Sequence, residues 1–499
     1  MQGIETVYTH GTVPRCGERV LVLKDLFYGS TGKVNAPTTK DKLNRQDDQR
    51  TDTCKFDTDK HKLDLYIPSK RMSDGSSPRK APKTPNTPVV VFVHGGGWRR
   101  GDRSAWKHYV SILDTNFLVA FILKIFRLYG NIGEALAEKG VACAVISYPL
   151  SKLEMPWMLF EMLTSYLMSS TFLLTIGAVL TSIAYLLSWI LGCSLQTAFR
   201  INSIFDVVPI LFLSLAIINV FYVVTMTVSK SRYKLTFANL LLLWIMTIVT
   251  ILVYRRWDSK GTDMLKMKYL VNFVTFVATL IWTQGMLLYK RLQVKTSSYQ
   301  EQLEAVYDSV SFVTKFGAES GLFNSEELYL MGHSAGGHLV TLLALQIADD
   351  CSDLNSDLNI KGVIAISGVF DLPKLNKKIL KPLYLHPTFG EKRSDWLKAS
   401  PSHVMSSACG DEDLDDVTLS TWRKTPPFLL ITAEKDLHLQ KDAELLCQKI
   451  QKLGGDCSLQ TICPSNHFTI VWDFKADSSN ENTKLTEVCV KFILRHAKC

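Results

Sequence analysis

One serine stands in a pentapeptide suited to nucleophilic chemistry, Gly332-His333-Ser334-Ala335-Gly336. A strand-like run, Leu328–Met331, precedes it, and a helical pattern, His338–Ile347, follows. A serine at a sharp strand-to-helix turn has its hydroxyl exposed, and the turn leaves no room for side chains at the flanking glycines. The helix start also offers backbone N–H groups to a developing anion. A second glycine run, His94-Gly95-Gly96-Gly97-Trp98, follows the strand-like Pro88–Val93. Its N–H groups can turn toward a substrate carbonyl, so Gly95, Gly96 and Ala335 are the expected oxyanion donors. An acid and a base come later, in the order Ser, Asp, His. Asp436 follows the strand Pro427–Thr432 and His467 follows the strand Cys457–Cys463. His467 would take the serine proton, and Asp436 would fix the imidazole tautomer and stabilise its cation. Glu434 and Asp442 are rival acids, and Asp436 is preferred for its distance past the strand. His438 is a rival base, but it sits too close to the acid along the chain. His94 reads as a brace for the glycine loop, and His333 and His338 as packing or rim residues. This chemistry runs through an acyl-enzyme that water cleaves. It needs no metal and no cofactor.

These groups need a scaffold. Strands alternate with helices on both sides of a central region. Before it lie Pro88–Val93, the helix Ile132–Lys139 and the strand Val141–Ser147. After it lie the helix Tyr299–Phe316, the strand Gly362–Ser367 and the helix Lys441–Leu453. Such alternation predicts an α/β class with a mostly parallel, doubly wound sheet covered on both faces. Ser69–Pro88, rich in Pro, Lys and Ser, reads as a solvated loop.

The central region differs in kind. Four charge-free apolar runs, Met168–Leu191, Val207–Val228, Leu235–Tyr254 and Tyr269–Tyr289, each approach the ~20 residues that a membrane-crossing helix needs. Trp and Tyr mark their edges, as at membrane interfaces. Phe117–Leu123 is too short to span and reads as an interfacial or buried helix. If strands on both sides share one sheet, the number of crossings must be even, and four is even. The expected division is therefore 1–150 for the first part of the hydrolytic domain, 151–295 for a transmembrane insert and 296–499 for the second part.

The chain has 499 residues, 47% hydrophobic and 21% charged, with net charge +9. That composition excludes a disordered chain. The basic residues are scattered without a nucleic-acid motif, so the charge reads as solubility and a preference for membrane surfaces. Eleven cysteines without regular spacing or a CxxC pair argue against a disulfide framework or a zinc site. Scattered thiols, the absence of an Asn-x-Ser/Thr acceptor and a first stretch lacking a signal-peptide core fit a cytosol-facing domain.

The segments HGGGW, GHSAGG, SGVFDL (Ser367–Leu372) and NHF resemble the α/β-hydrolase esterases. That branch includes hormone-sensitive-lipase-like enzymes, kynurenine formamidases and isoprenylcysteine methylesterases. KDLFYGS (Lys24–Ser30), KLDLYIP (Lys62–Pro68), the stretch Tyr129–Pro149 and ASP (Ala399–Pro401) are most similar to the last group. The resemblance covers some 350 residues on both flanks and skips the insert, which interrupts the hydrolase after Pro149. It implies the α/β-hydrolase fold, with Ser334, Asp436 and His467 as triad and Gly95, Gly96 and Ala335 as oxyanion hole. Trp98, Phe370 and Asp371 are candidates to line the substrate pocket. For Phe370 and Asp371 a structural turn role is equally open.

The expected function is a membrane-anchored serine carboxylesterase acting on a small-molecule or lipid-linked hydrophobic ester. A prenylcysteine methyl ester comes first, acylglycerol or sterol esters second and a formamide third. Membrane lipids are the other expected partner, and nucleic acid is not. The expected setting is the endoplasmic reticulum or another endomembrane. A catalytically dead membrane scaffold is the rival of another class, although the triad and glycines are all present. A transporter would need more ionisable residues within its spans.

Overall fold

The computed structural model describes residues 20–29, 60–68, 86–103, 129–161, 296–348, 358–375, 381–408, 425–474 and 484–497, with six further helical positions between 274 and 292. The chain divides into two compact units. One comprises residues 1–106, 123–154 and 296–499, and the other residues 107–122 and 155–295.

The first unit is built on one eight-stranded sheet. Its strands are β1 (Val20–Phe27), β2 (Lys62–Pro68), β3 (Val89–Val93), β4 (Ala142–Ile146), β5 (Leu328–His333), β6 (Ile360–Ile366), β7 (Phe428–Lys435) and β8 (Cys457–Asn466). They lie in the order β1-β2-β4-β3-β5-β6-β7-β8. β1 and β2 pair antiparallel, as do β2 and β4, and every other pair is parallel. The central strands are apolar at nearly every position because both faces are covered. In β3, VVVFV, no residue is exposed. Its alternate residues feed two separate cores, as a side-chain period of two requires. Val89, Val91 and Val93 enter one core and Val90 and Phe92 the other.

The helices that cover the sheet are α1 (Gly130–Glu138), α2 (Tyr299–Ser320), α3 (Ala335–Ala348), α4 (Pro401–Ala408), α5 (Gln440–Lys452) and α6 (Lys484–His496). Leu303 and Val310 of α2, Leu339 and Leu343 of α3 and Leu446 of α5 fill the first core. Ile132 and Leu136 of α1 and Leu485 and Ile493 of α6 fill the second. α2 opens on a capping box between Ser298 and Glu301 and ends at Gly321 in the left-handed region, so it runs past the expected Phe316. Pro464 stands within β8, an edge strand, where a missing N–H is tolerated.

In the second unit, a short helical turn before residue 162 exposes Met155, Leu159 and Phe160. Val274, Ala278, Ile281, Gly285, Leu288 and Leu292 are helical, and Val274, Ile281 and Leu292 are exposed. Among the described residues no helix is long and apolar enough to cross a membrane. The expected spans Met168–Leu191, Val207–Val228 and Leu235–Tyr254 lie outside the described residues, as does Phe117–Leu123. Tyr269–Tyr289 is described only at the positions just named.

Candidate active site

Parallel strands direct their carboxyl ends to one edge of the sheet, the usual place for a site in an open α/β fold. Ser334 follows β5, the glycine loop follows β3, Asp436 follows β7 and His467 follows β8. The turn after β5 is tight. Ser334 takes φ of 54°, its N–H donates to Ile366 O at 2.9 Å, and its carbonyl accepts the first helical bond from His338 N at 3.0 Å. A Cβ on Gly336 would strike the Val93 carbonyl, and one on Gly95 would come 2.7 Å from His333 Nδ1. The glycines are there because β3, its loop and the Ser334 turn pack backbone to backbone.

The structure brings the three expected side chains together. His467 Nε2 lies 3.0 Å from Ser334 Oγ, and His467 Nδ1 lies 2.7 Å from Asp436 Oδ1. A carboxylate can only accept, so Nδ1 carries the proton and Nε2 is left to accept from the serine hydroxyl. Asp436 is buried, and its Oδ2 accepts from Ala433 N at 3.1 Å. The rivals are elsewhere. Glu434 and His438 are exposed, and Asp442 is held by Lys374 Nζ at 2.6 Å. Leu437 (61% exposed) and Phe468 (65% exposed) each follow a triad position in sequence, and Phe468 stands edge-on to the His467 ring.

The glycine loop corrects one expectation. Gly95 N–H donates to Tyr129 Oη at 3.1 Å, so it is committed elsewhere and is not an oxyanion donor. Trp98 is buried, donates from Nε1 to His338 Nδ1 at 3.2 Å and packs edge-on to Phe389. It locks the loop against α3 through His338. Phe370 is likewise buried in the core, and Asp371 faces Lys374 at 3.4 Å and His403 at 3.5 Å. Both hold the turn after β6. Gly96, with φ of 122°, and Ala335, first in α3, are the two remaining expected donors.

Three neighbouring histidines are neutral. Burial lowers His94 to about 4, His333 to about 3 and His338 to about 4. His94 stacks on Tyr148 at 4.4 Å and pairs through Nδ1 with the Gly95 carbonyl at 2.8 Å, which is the bracing role expected of it. His338 donates from Nε2 to Ala399 O at 2.7 Å. His333 and His338 are fully enclosed, not at a rim.

A second anchor was not foreseen. Arg103, at the far end of the glycine loop, is wholly buried. It donates to Asp64 Oδ1 at 3.0 Å, Ser147 Oγ at 3.1 Å and Asp102 Oδ1 at 3.4 Å, and it pairs with Asp25. Burial raises Asp64, and the Arg103 guanidinium opposes that rise. Ser147 Oγ also donates to Asp102 at 2.6 Å. Among the described residues, no cluster of His, Cys, Asp and Glu could hold a metal ion.

The family model described as alpha/beta hydrolase fold matches residues 296–470. A kynurenine formamidase from Danio rerio is 26% identical over 185 residues, which is 37% of this chain and 53% of that protein. The chain thus spans about half the length of this curated relative. Among solved structures, esterase B from Lactobacillus rhamnosis aligns over 99% of this chain and 90% of its own, at 15% identity and a TM-score of 0.45. Carboxyl esterase 2 from the fungus Tuber melanosporum aligns over 88% and 83%, at 12% identity and a TM-score of 0.40. The sheet order, the tight turn at Ser334 after β5 and the match over residues 296–470 together give this chain the α/β-hydrolase fold.

Proposed function

We propose that this protein is a serine hydrolase that cleaves a hydrophobic carboxylic ester through an acyl-enzyme. The observation that carries the proposal is the continuous pair of bonds from Asp436 through His467 to Ser334. In this mechanism His467 Nε2 takes the Ser334 proton as Oγ attacks the ester carbonyl. The tetrahedral oxyanion is met by the N–H groups of Gly96 and Ala335, and Asp436 stabilises the imidazolium. The protonated His467 then returns its proton to the leaving alcohol. A water, activated by the same nitrogen, cleaves the acyl-enzyme.

The exposed Leu437 and Phe468 beside the triad favour an apolar group on the ester. A prenylcysteine methyl ester is the first substrate to test, followed by acylglycerol and sterol esters. Hydrolysis of an aryl formamide is the second reading, and the zebrafish relative favours it. The four apolar runs would hold the enzyme in an endomembrane, with the hydrolase on the cytosolic side. The exposed Val274, Ile281 and Leu292 support that placement, since positions seven and eleven apart share one helical face that lipid would cover. So do the free thiols of Cys143, Cys447, Cys457 and Cys489.

The test is labelling of membrane fractions with a fluorophosphonate. Wild type should label, and Ser334→Ala and His467→Ala should not. Folded wild type that stays unlabelled would overturn the hydrolase reading and favour the scaffold. Ester and formamide panels then rank the substrates, and extraction at alkaline pH tests membrane embedding.

A further inference from the structure

We infer that Tyr129 and His333 are positioning residues of this hydrolase, because a single hydrogen-bond chain through their side chains ties the glycine loop to the backbone of His467. The inference rests on the reading of Ser334 and His467 as nucleophile and base. The chain has four groups. Gly95 N–H meets Tyr129 Oη at 3.1 Å, Tyr129 Oη meets His333 Nδ1 at 3.4 Å, and His333 Nε2 meets the His467 carbonyl at 2.9 Å.

The direction of every bond is forced. The His467 carbonyl can only accept, so His333 Nε2 carries the proton. The neutral ring then leaves Nδ1 as an acceptor. Gly95 N–H can only donate, so Tyr129 Oη accepts it and turns its own hydrogen toward Nδ1. Protonating His333 would put a second donor against Tyr129 and break the sequence. Burial of the ring, which lowers it to about 3, prevents this.

The chain joins four segments that are far apart in sequence: the glycine loop, the start of α1, the end of β5 and the loop after β8. His333 immediately precedes the nucleophile. The opposite side of the His467 backbone is also fixed, because its N–H donates to Lys435 O at 3.2 Å, beside Asp436. The imidazole is thus held by its ring at Asp436 and by its main chain at both Lys435 and His333. Tyr129 itself is fixed. It takes φ of 70°, unusual for a residue with a side chain, and its ring lies against Phe92 and His94. Two residues on, Asn131 Nδ2 donates to Val471 O at 2.9 Å, which ties the start of α1 to the segment that follows His467. Phenylalanine would satisfy all the packing at 129. The hydroxyl is what the chain requires.

The test uses the full chain in its membrane or detergent environment and two readouts. In Tyr129→Phe, the fluorophosphonate inactivation rate should fall on the order of tenfold, the size of one lost hydrogen bond, with probe affinity unchanged. Exchange of the Gly95 amide, read by mass spectrometry, should quicken about tenfold while β3 stays protected. His333→Gln offers an acceptor and a donor in the same sense and should keep labelling within roughly threefold, whereas His333→Leu should not. An unchanged Gly95 exchange rate overturns the chain. Faster exchange with wild-type inactivation overturns its positioning role. Wild type that never labels overturns the hydrolase reading and the positioning role with it, while Gly95 exchange still reports whether the bonds exist.

Discussion

The glycine loop is held at both ends, and the two ends are held by different physics. At Gly95 the anchor is neutral: a tyrosine, an uncharged imidazole and backbone groups, with bonds of one allowed direction. At Arg103 the anchor is ionic: a buried guanidinium among Asp25, Asp64 and Asp102, with Lys60 behind. The neutral end sits against Ser334, where a net charge would perturb the proton transfer to His467 that the proposed mechanism requires. The ionic end is tied to β1, β2 and the residue after β4, and no triad side chain is among its partners. Charge supplies rigidity where it is remote from the chemistry, and directed neutral bonds supply it where charge would interfere.

Acid should separate the two ends most strongly. His94, His333 and His338 titrate near 6.5 when unfolded but at about 4, 3 and 4 in the fold. A lowered folded value means that the stability is fully present above ~6.5 and is lost as pH falls toward the folded values. Near pH 5 these three histidines bind almost three more protons when unfolded and contribute a slope of roughly 4 kcal/mol per pH unit. Asp64 moves the other way. Its folded value is raised, so its contribution is present below ~3.9 and lost as pH rises. Denaturant midpoints between pH 7 and 5 should drop steeply in wild type. The slope should fall by about a third in His94→Gln. A flat wild-type profile over that range would show that the histidines are not held neutral.

Removing the guanidinium attacks the ionic end directly. Arg103→Met keeps much of the volume but leaves Asp64 and Asp102, both buried, without the guanidinium. Breaking a buried pair in this way costs ~3–5 kcal/mol. The deficit should shrink on acidification, because protonated carboxylates no longer need the guanidinium. Thermal midpoints of variant and wild type should therefore converge as pH falls. A constant gap, or one below ~1 kcal/mol, would mean that the network behaves like surface charge.

The same division explains what could be read from the sequence. Ser334, Asp436 and His467 were legible because each lies a few residues past a recognisable strand and the fold dictates their order. The glycines were legible because close backbone approach leaves no alternative. Which glycine donates to an oxyanion was not, because the Gly95 N–H is claimed by Tyr129, 34 residues away. Tyr129 was visible only as the first residue of a family-like segment. Its partner His333 is a further 204 residues on. The settings of Trp98, Phe370 and Asp371 were hidden for a related reason. Proximity in sequence to a site does not say which side of a loop a side chain takes, and all three turn inward or into ion pairs. Asp64 and Arg103 meet across 39 residues, so an arginine after a glycine loop reads as solvent-facing until the fold buries it. Pro464 hid the end of β8, whose pairing with β7 continues to Asn466.

The smallest effect sharpens the comparison most finely. Lys60 Nζ lies 3.5 Å from Asp102 Oδ2 and donates to the Gly101 carbonyl at 3.0 Å, with its side chain 14% exposed. It is the second cation of the ionic end, but it approaches as a point charge near solvent, without the planar fork of a guanidinium. Lys60→Met should therefore cost only about 1 kcal/mol. Part of that cost should vanish at high salt, which screens a partly exposed pair, while the cost of Arg103→Met should persist. Chemical denaturation of both variants at low and high salt decides the matter. If the two losses are equal, the ionic end works by summed charge. If Lys60→Met is the mild and salt-sensitive one, the directed geometry of Arg103 fixes the loop, and both ends of the glycine loop depend on bond direction despite their difference in charge.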